Sequence, residues 1–275
     1  MVKNAYEACL GDDDVYPQWI GGGILPKGAV LLAGGETKTG KTWLNLEICD
    51  ALVSGGGRCL FQDVRYPVLD KARVLSIDGE LGSYGFRKRL RMRYRANGLS
   101  GPEEFLYVPK GTYKPFKVDQ PNGWYYIRDM VKATKADVVI IDPASYFIST
   151  GANEVVRDFY TNLGRIQAEL NPDLSFVVIH HFNKPLRGSE AAMDDKLSVY
   201  RFRDGSNWPG DADSVMTMHK TDSNAPGVRW NIHMRLTLRH DESPDDFKVC
   251  VNHDWTLTRC RGSSQRAKEI IEAIG

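Results

Sequence analysis

Residues Gly35-Glu36-Thr37-Lys38-Thr39-Gly40-Lys41-Thr42 follow a short apolar run at 29–33 and precede a stretch with Leu44, Ile48, Ala51 and Leu52 at helical spacing. This pattern can hold phosphate. Its glycines let the backbone curl until several amides face an anion, Lys41 can reach the β- and γ-phosphates, and the Thr42 hydroxyl can ligate Mg²⁺. The N-terminus of the following helix adds the positive end of its dipole. A strand before the loop and a helix after it separate such a site from an ordinary glycine-rich turn.

Two further chain segments end in groups that could complete this chemistry. The run 138–141 ends at Asp142, and a carboxylate at the tip of a buried parallel strand can hold a Mg²⁺ hydration shell beside the phosphate loop. No Glu follows Asp142, because Pro143 stands there, so a base for an attacking water must come from elsewhere. The run 73–77 leads into Asp78-Gly79-Glu80. Glu80, at the strand tip, is the candidate base. Asp78, two residues back, is its rival and reads as a structural group. His180 and His181 end another apolar run, 176–179, where a polar side chain can touch the γ-phosphate. Adjacent strand residues point to opposite faces, so the pair does not read as a metal site.

The elements needed to position these groups follow from the spacing. Short apolar, β-branched runs at 29–33, 73–77, 138–141 and 176–179 are separated by stretches long enough for helices. That alternation predicts an α/β fold with a mostly parallel central sheet flanked by helices. After Asp213 the style changes, and 213–218, 228–239 and 247–259 read as three antiparallel strands added to the same sheet. Ala267, Ile270, Ile271 and Ile274 share one face of a final helix capped at Ser264. The expected division is a domain over 1–262 and a helix over 263–275 that could open a further domain.

The totals narrow the function. With 36 Lys and Arg against 35 Asp and Glu, a generally basic nucleic-acid coat is excluded, and any DNA contact needs a local patch. Cys9, Cys49, Cys59, Cys250 and Cys260 are odd in number and form no CxxC pair, so no disulfide framework or zinc knuckle is expected. No stretch approaches the roughly 18 apolar residues of a membrane span, and the first residues lack a signal peptide's apolar core. The expectation is a reduced, cytoplasmic protein without a membrane partner.

A base on the strand after the phosphate-loop helix resembles the arrangement of RecA-like P-loop ATPases. The detail resembles the plasmid RepA-type hexameric replicative helicases and their phage relatives. The likeness runs over roughly 17–260: the lead-in Trp19-Ile-Gly-Gly-Gly-Ile-Leu-Pro-Lys-Gly28, the phosphate loop extended to Trp43, the base strand ending at Glu80, the Arg-Lys-Arg helix after Phe86, Val138-Val-Ile-Ile-Asp-Pro143, and Val177-Val-Ile-His-His-Phe-Asn-Lys184. Gly205-Ser206 with Ala212-Asp213-Ser214 resembles a further family segment. Here Asp204 precedes that Gly-Ser, while Arg187-Gly188-Ser189 stands earlier.

The resemblance implies a RecA-like α/β domain that binds ATP and Mg²⁺ and assembles as a homo-oligomer, a ring of six. It implies that His181 faces the nucleotide. The segment after it, with Lys184, Arg187, Lys196, Arg201 and Arg203 among Phe182, Tyr200 and Phe202, would grip single-stranded DNA in the ring channel, cations on phosphates and an aromatic on a base. Arg239, with Arg235 behind it, is the candidate cation donated to a neighbour's γ-phosphate. Arg87, Lys88, Arg89, Arg91, Arg93 and Arg95 read as a solvated or subunit-facing helix. The function implied is a DNA helicase or translocase of phage or plasmid replication. The alternatives are an ATP-gated DNA-binding or loading factor without unwinding activity, and a small-molecule phosphotransferase.

Overall fold

The computed structural model describes residues 16–96, 101–183, 192–203 and 207–260. The C-terminal helix expected at 263–275, Lys184, Arg187 and the two Gly-Ser pairs lie outside them.

A small hairpin, β1 (Gln18–Ile20) with β2 (Leu25–Pro26), leads into β3 (Val30–Gly35), after which α1 (Lys41–Ser54) begins. Then follow β4 (Val74–Gly82), α2 (Ser83–Ala96), β5 (Phe105–Lys110), α3 (Trp124–Thr134), β6 (Val138–Asp142), α4 (Asn153–Leu170) and β7 (Ser175–His181). A four-residue α5 (Met193–Lys196) precedes β8 (Ser214–Thr221), β9 (Val228–Leu238), β10 (Phe247–Asn252) and β11 (Leu257–Arg259). Nine strands form one sheet in the order β11-β10-β9-β8-β3-β7-β6-β4-β5. The expected α/β architecture, a mostly parallel sheet with antiparallel strands at its C-terminal side, is the one observed.

Two details correct the sequence reading. β8 runs parallel to β3, Leu31 opposite Ser214, so only β9, β10 and β11 are antiparallel additions. The long segment after β7 carries the chain back across the sheet, and a crossover of that kind returns a strand in the parallel sense. The 247–259 run is also broken in two by a turn at Asp254–Trp255. Edge strand β5 escaped notice because its residues are only half-buried and include Pro109, which weakens any strand signal.

Alternate residues of each central strand feed two cores. Leu31 and Ala33 of β3 face α1, while Val30 and Leu32 face the side packed by α4. The α1 core extends to Val249, Val251 and Leu257, so α1 is buried almost all round rather than on the single stripe its pattern suggests. Its buried Glu47 and Asp50 are consequently neutralised from outside by Arg93 of α2, with Arg93 Nη2 2.6 Å from Glu47 Oε2. Breaking such a buried ion cluster by removing one partner costs about 3–5 kcal/mol.

Contrary to the expectation from cysteine spacing, Cys250 and Cys260 are joined as a disulfide across β10 and the end of β11. Among the described residues, no helix is long and apolar enough to cross a membrane.

Candidate nucleotide site

At the C-terminal ends of the parallel strands, β3 passes through a tight loop into α1. Gly40 caps that helix at φ 116°, a left-handed conformation in which a side chain is strained. Lys41, 7% exposed, lies against the loop and donates to the carbonyls of Gly35 (2.9 Å) and Glu36 (2.7 Å). Burial pulls its pKa down to about 8, while Asp142, Glu80 and Glu36 pull the other way. The ammonium is still mostly protonated at neutral pH and is held at the mouth of the loop.

Asp142 sits at the tip of β6, buried, opposite Asp78 of β4 in register. Burial, then the neighbouring Asp78 charge, push its carboxyl up to about 6, against a hydrogen bond of 3.2 Å from Asn45 Nδ2. The Thr42 hydroxyl accepts from Arg89 Nη1 at 2.9 Å. Among the described residues no cluster of three or more His, Cys, Asp or Glu forms a self-sufficient metal cage. A hydroxyl and a carboxylate are hard oxygen donors suited to Mg²⁺, an ion that keeps waters and takes substrate phosphates as its remaining ligands. Thr42 and Asp142 thus fit the expected ion, provided a nucleotide brings its phosphates.

The two candidate bases are separated by what they already hold. One Asp78 carboxylate oxygen accepts the backbone N–H groups of Glu80 (2.7 Å) and Leu81 (2.6 Å), and the other accepts from Tyr107 Oη at 3.1 Å. Asp78 is buried and its lone pairs are committed to shaping the end of β4. That shape projects Glu80 outward, 63% exposed, with a carboxylate oxygen 3.7 Å from His181 Nε2. His181 lines the same cavity, whereas His180 points to the other face and packs on Trp208 at 4.4 Å between ring centroids.

Lys41, Thr42, Glu80, Asp142 and His181 therefore surround one cavity of about 730 Å³. Gly40, Thr37, Lys38 and Trp43 join them there. Glu36 instead forms an ion pair with Arg201 of the segment after β7, 2.6 Å between Oε1 and Nη2. Gly35 and Thr39 are buried beneath the loop.

The other expectations divide. Arg201 is mostly buried, donating also to the carbonyls of Lys196 and Asn183, so it does not present its charge to a DNA backbone. Phe182 and Phe202 are buried against each other and are not free to stack on a base, whereas Tyr200 is 84% exposed. Lys196 is half-buried and Arg203 exposed. Arg239 follows β9, whose antiparallel course puts it at the opposite end of the sheet from the chain's own phosphate loop, and it donates to the Gly210 carbonyl. Arg235 is paired with Asp246 and Asp194. The basic helix is not simply solvated, since Arg93 is buried and Arg89 touches Thr42. Sequence reasoning also missed Lys220, Trp230 and Trp255, which line the cavity from the late strands. No motif marks them.

His180 gives the fold a pH dependence. Buried, it has a pKa lowered to about 3, burial first and then His181, against an opposing contact with the Arg203 backbone. Between roughly pH 6.5 and 3 the unfolded chain binds this proton and the folded one does not, so stability falls as pH falls through that window. A denaturant-unfolding series should show this loss, and His180→Gln should flatten it. An unchanged slope in the variant would assign the acid sensitivity elsewhere.

A family model described as "AAA domain" matches residues 11–186. The fold is similar to that of a KaiC-like protein from the hyperthermophilic archaeon Pyrococcus horikoshii, at 14% identity and a TM-score of 0.53, over 86% of this chain and 91% of that one. It is similar also to the ATPase domain of G40P, at 13% identity and a TM-score of 0.56, over 86% of each chain. No curated protein matches the sequence closely enough to count as a relative.

Proposed function

The chain belongs to the AAA-domain family and has the RecA-like P-loop ATPase fold, and on that premise we propose that it is a Mg²⁺- and ATP-dependent DNA helicase or translocase of phage or plasmid replication. In the reaction, water attacks the γ-phosphorus while Glu80 takes its proton, and the bond from that phosphorus to the β–γ bridging oxygen breaks to leave ADP and phosphate. Lys41 and the first amides of α1 stabilise the charge that builds on the phosphoryl oxygens. Thr42 and Asp142 would hold Mg²⁺, which would supply neutralisation of the phosphate charge. His181, between Glu80 and the start of the following segment, is placed to register loss of the γ-phosphate.

The observation that carries a motor reading is the Arg201–Glu36 ion pair. It ties the segment proposed to meet single-stranded DNA directly to the phosphate loop, so a change at one end strains the other. Lys184, Arg187, Lys196 and Arg203 remain the proposed backbone contacts, with Tyr200 the exposed aromatic. A homohexameric ring is the proposed assembly. Arg239, remote from its own site, would then serve a neighbour's.

Single-stranded DNA should stimulate ATP hydrolysis, and a strand-displacement assay separates a helicase from a loading factor. Neutralising Lys196 and Arg203 together should reduce the slope of log affinity against log salt by about 1.4, at roughly 0.7 per lost single-strand contact. Arg201→Ala should leave that slope alone and lose the stimulation. An unchanged slope in the double variant rejects Lys196 and Arg203 as phosphate contacts, and absence of any DNA effect rejects the motor.

A further inference from the structure

Helix α2 carries six cations and no acidic residue. At about 3.6 residues per turn these cations divide between two sides. Arg93 is buried on Glu47 and Asp50, and Arg89, one turn earlier, reaches Thr42, so both point toward α1. Phe86 and Leu90 face the same way, into the core that α1 shares. The opposite side presents Tyr84, Arg87, Lys88, Arg91 and Arg95, all exposed, Tyr84 to 76%. Tyr84, Arg87, Lys88 and Arg91 line a hollow of about 370 Å³ along this side, with Met92.

Among the described residues, none of the four outward cations has an ion-pair partner, and Arg87 donates only to the Ser83 carbonyl of its own helix at 3.2 Å. Arg128 on α3 and Arg235 on β9, by contrast, each hold two carboxylates. A side that meets only water ordinarily mixes both signs of charge. Here Arg87, Arg91 and Arg95 follow one another at four-residue spacing, where like charges repel and weaken a helix. The inward anchors hold α2 in place against that repulsion, and a row of anions along the outer side would relieve it. The three arginines span about 12 Å of helix axis, room for three or four phosphates of one strand at about 3.4 Å each. Tyr84 stands at the end of the row. An exposed ring can stack on an unpaired base, whereas the bases of a duplex are already stacked.

We propose that the outer side of α2 is a binding surface for single-stranded nucleic acid, with Arg87, Arg91 and Arg95 on its phosphates and Tyr84 on a base. This surface is separate from the segment after β7. Phe86 and Leu90 pack into the core on the α1 side of the sheet, whereas Phe182 and Phe202 pack into the core on the α4 side. The inference shares with the proposed function only the class of partner and does not rest on that segment's role.

Fluorescence anisotropy of a labelled oligodeoxythymidine, titrated with the full chain over a range of salt, tests this. Arg87→Gln, Arg91→Gln and Arg95→Gln together should reduce the slope of log affinity against log salt by about 2.1, at roughly 0.7 per lost single-strand contact. The same three positions changed to Lys should keep the slope, because the charge remains. Tyr84→Ala should weaken binding about 5- to 150-fold, the range one base–aromatic stack is worth, and leave the slope alone. All of these side chains are exposed, so thermal unfolding and DNA-free ATP hydrolysis should match the parent. Combining the triple Gln variant with the Lys196 and Arg203 variant should add the two slope losses. An unchanged slope in the triple Gln variant overturns the surface, even where the Lys196 and Arg203 variant loses its own increment. A slope lost only because sedimentation shows the oligomer dissociated also overturns it, and makes α2 a face between subunits. Equal affinity for a duplex of the same length, with Tyr84→Ala without effect, overturns the single-strand assignment. A parent chain that binds no oligonucleotide overturns this surface and the DNA reading together.

Discussion

Lys41→Ala is expected to abolish ATP binding or turnover while the protein stays folded. The amine is buried and fixed by the Gly35 and Glu36 carbonyls. With its pKa lowered to about 8 by burial, it is a cation whose desolvation the protein sustains only because neighbouring carboxylates and carbonyls surround it. Deleting the side chain removes both that penalty and the compensating contacts, and the two carbonyls it leaves keep other donors, the N–H of Phe182 on Gly35 and the N–H and hydroxyl of Thr39 on Glu36. Stability should therefore move little, whereas the γ-phosphate loses the one side chain from α1 directed at it. Calorimetric ATP titration, phosphate release and thermal unfolding of the same preparation check all three statements. Full ATPase activity in the variant would remove the basis for the nucleotide site.

Legibility in the sequence followed the range of the interactions. The phosphate loop was readable because its chemistry lies within eight consecutive residues and its context within one strand–loop–helix unit. Asp142 and Glu80 were readable because parallel strands place their C-terminal tips along one edge, so strand-ending carboxylates converge without any contact having to be known. What escaped depended on partners distant in sequence. Arg93 looked like one more solvated cation, and only the curl of β10 and β11 over α1 shows why Glu47 and Asp50 require it. Arg201 looked like a DNA contact because nothing local predicts that Glu36 lies across from it. Trp230 and Trp255 enter the cavity through the register of the antiparallel strands, as does the approach of Cys260 to Cys250. The parallel direction of β8 is set by a crossover whose path the apolar pattern does not encode.

Glu80→Gln should bind Mg·ATP like the parent but turn over at least ~10²-fold more slowly, the low end for loss of a general base. The amide keeps the size of the side chain and gives up the proton acceptor, so binding and chemistry separate cleanly. Asp78→Asn is the matched control. Its Asp78 oxygen accepts the Glu80 and Leu81 N–H groups, and an asparagine carbonyl oxygen can accept the same two bonds. The end of β4 should keep its shape, and turnover should fall by less than about tenfold, well short of the effect of removing a base. Glu80 stands 3.7 Å from His181, longer than a hydrogen bond, so the two are not locked together and the exposed carboxylate can turn toward a water at the γ-phosphate. Single-turnover hydrolysis with saturating ATP measures the step directly. Should Asp78→Asn prove the dead enzyme and Glu80→Gln the active one, the proton goes to Asp78, and the hydrogen bonds that now mark it as structural must break during turnover.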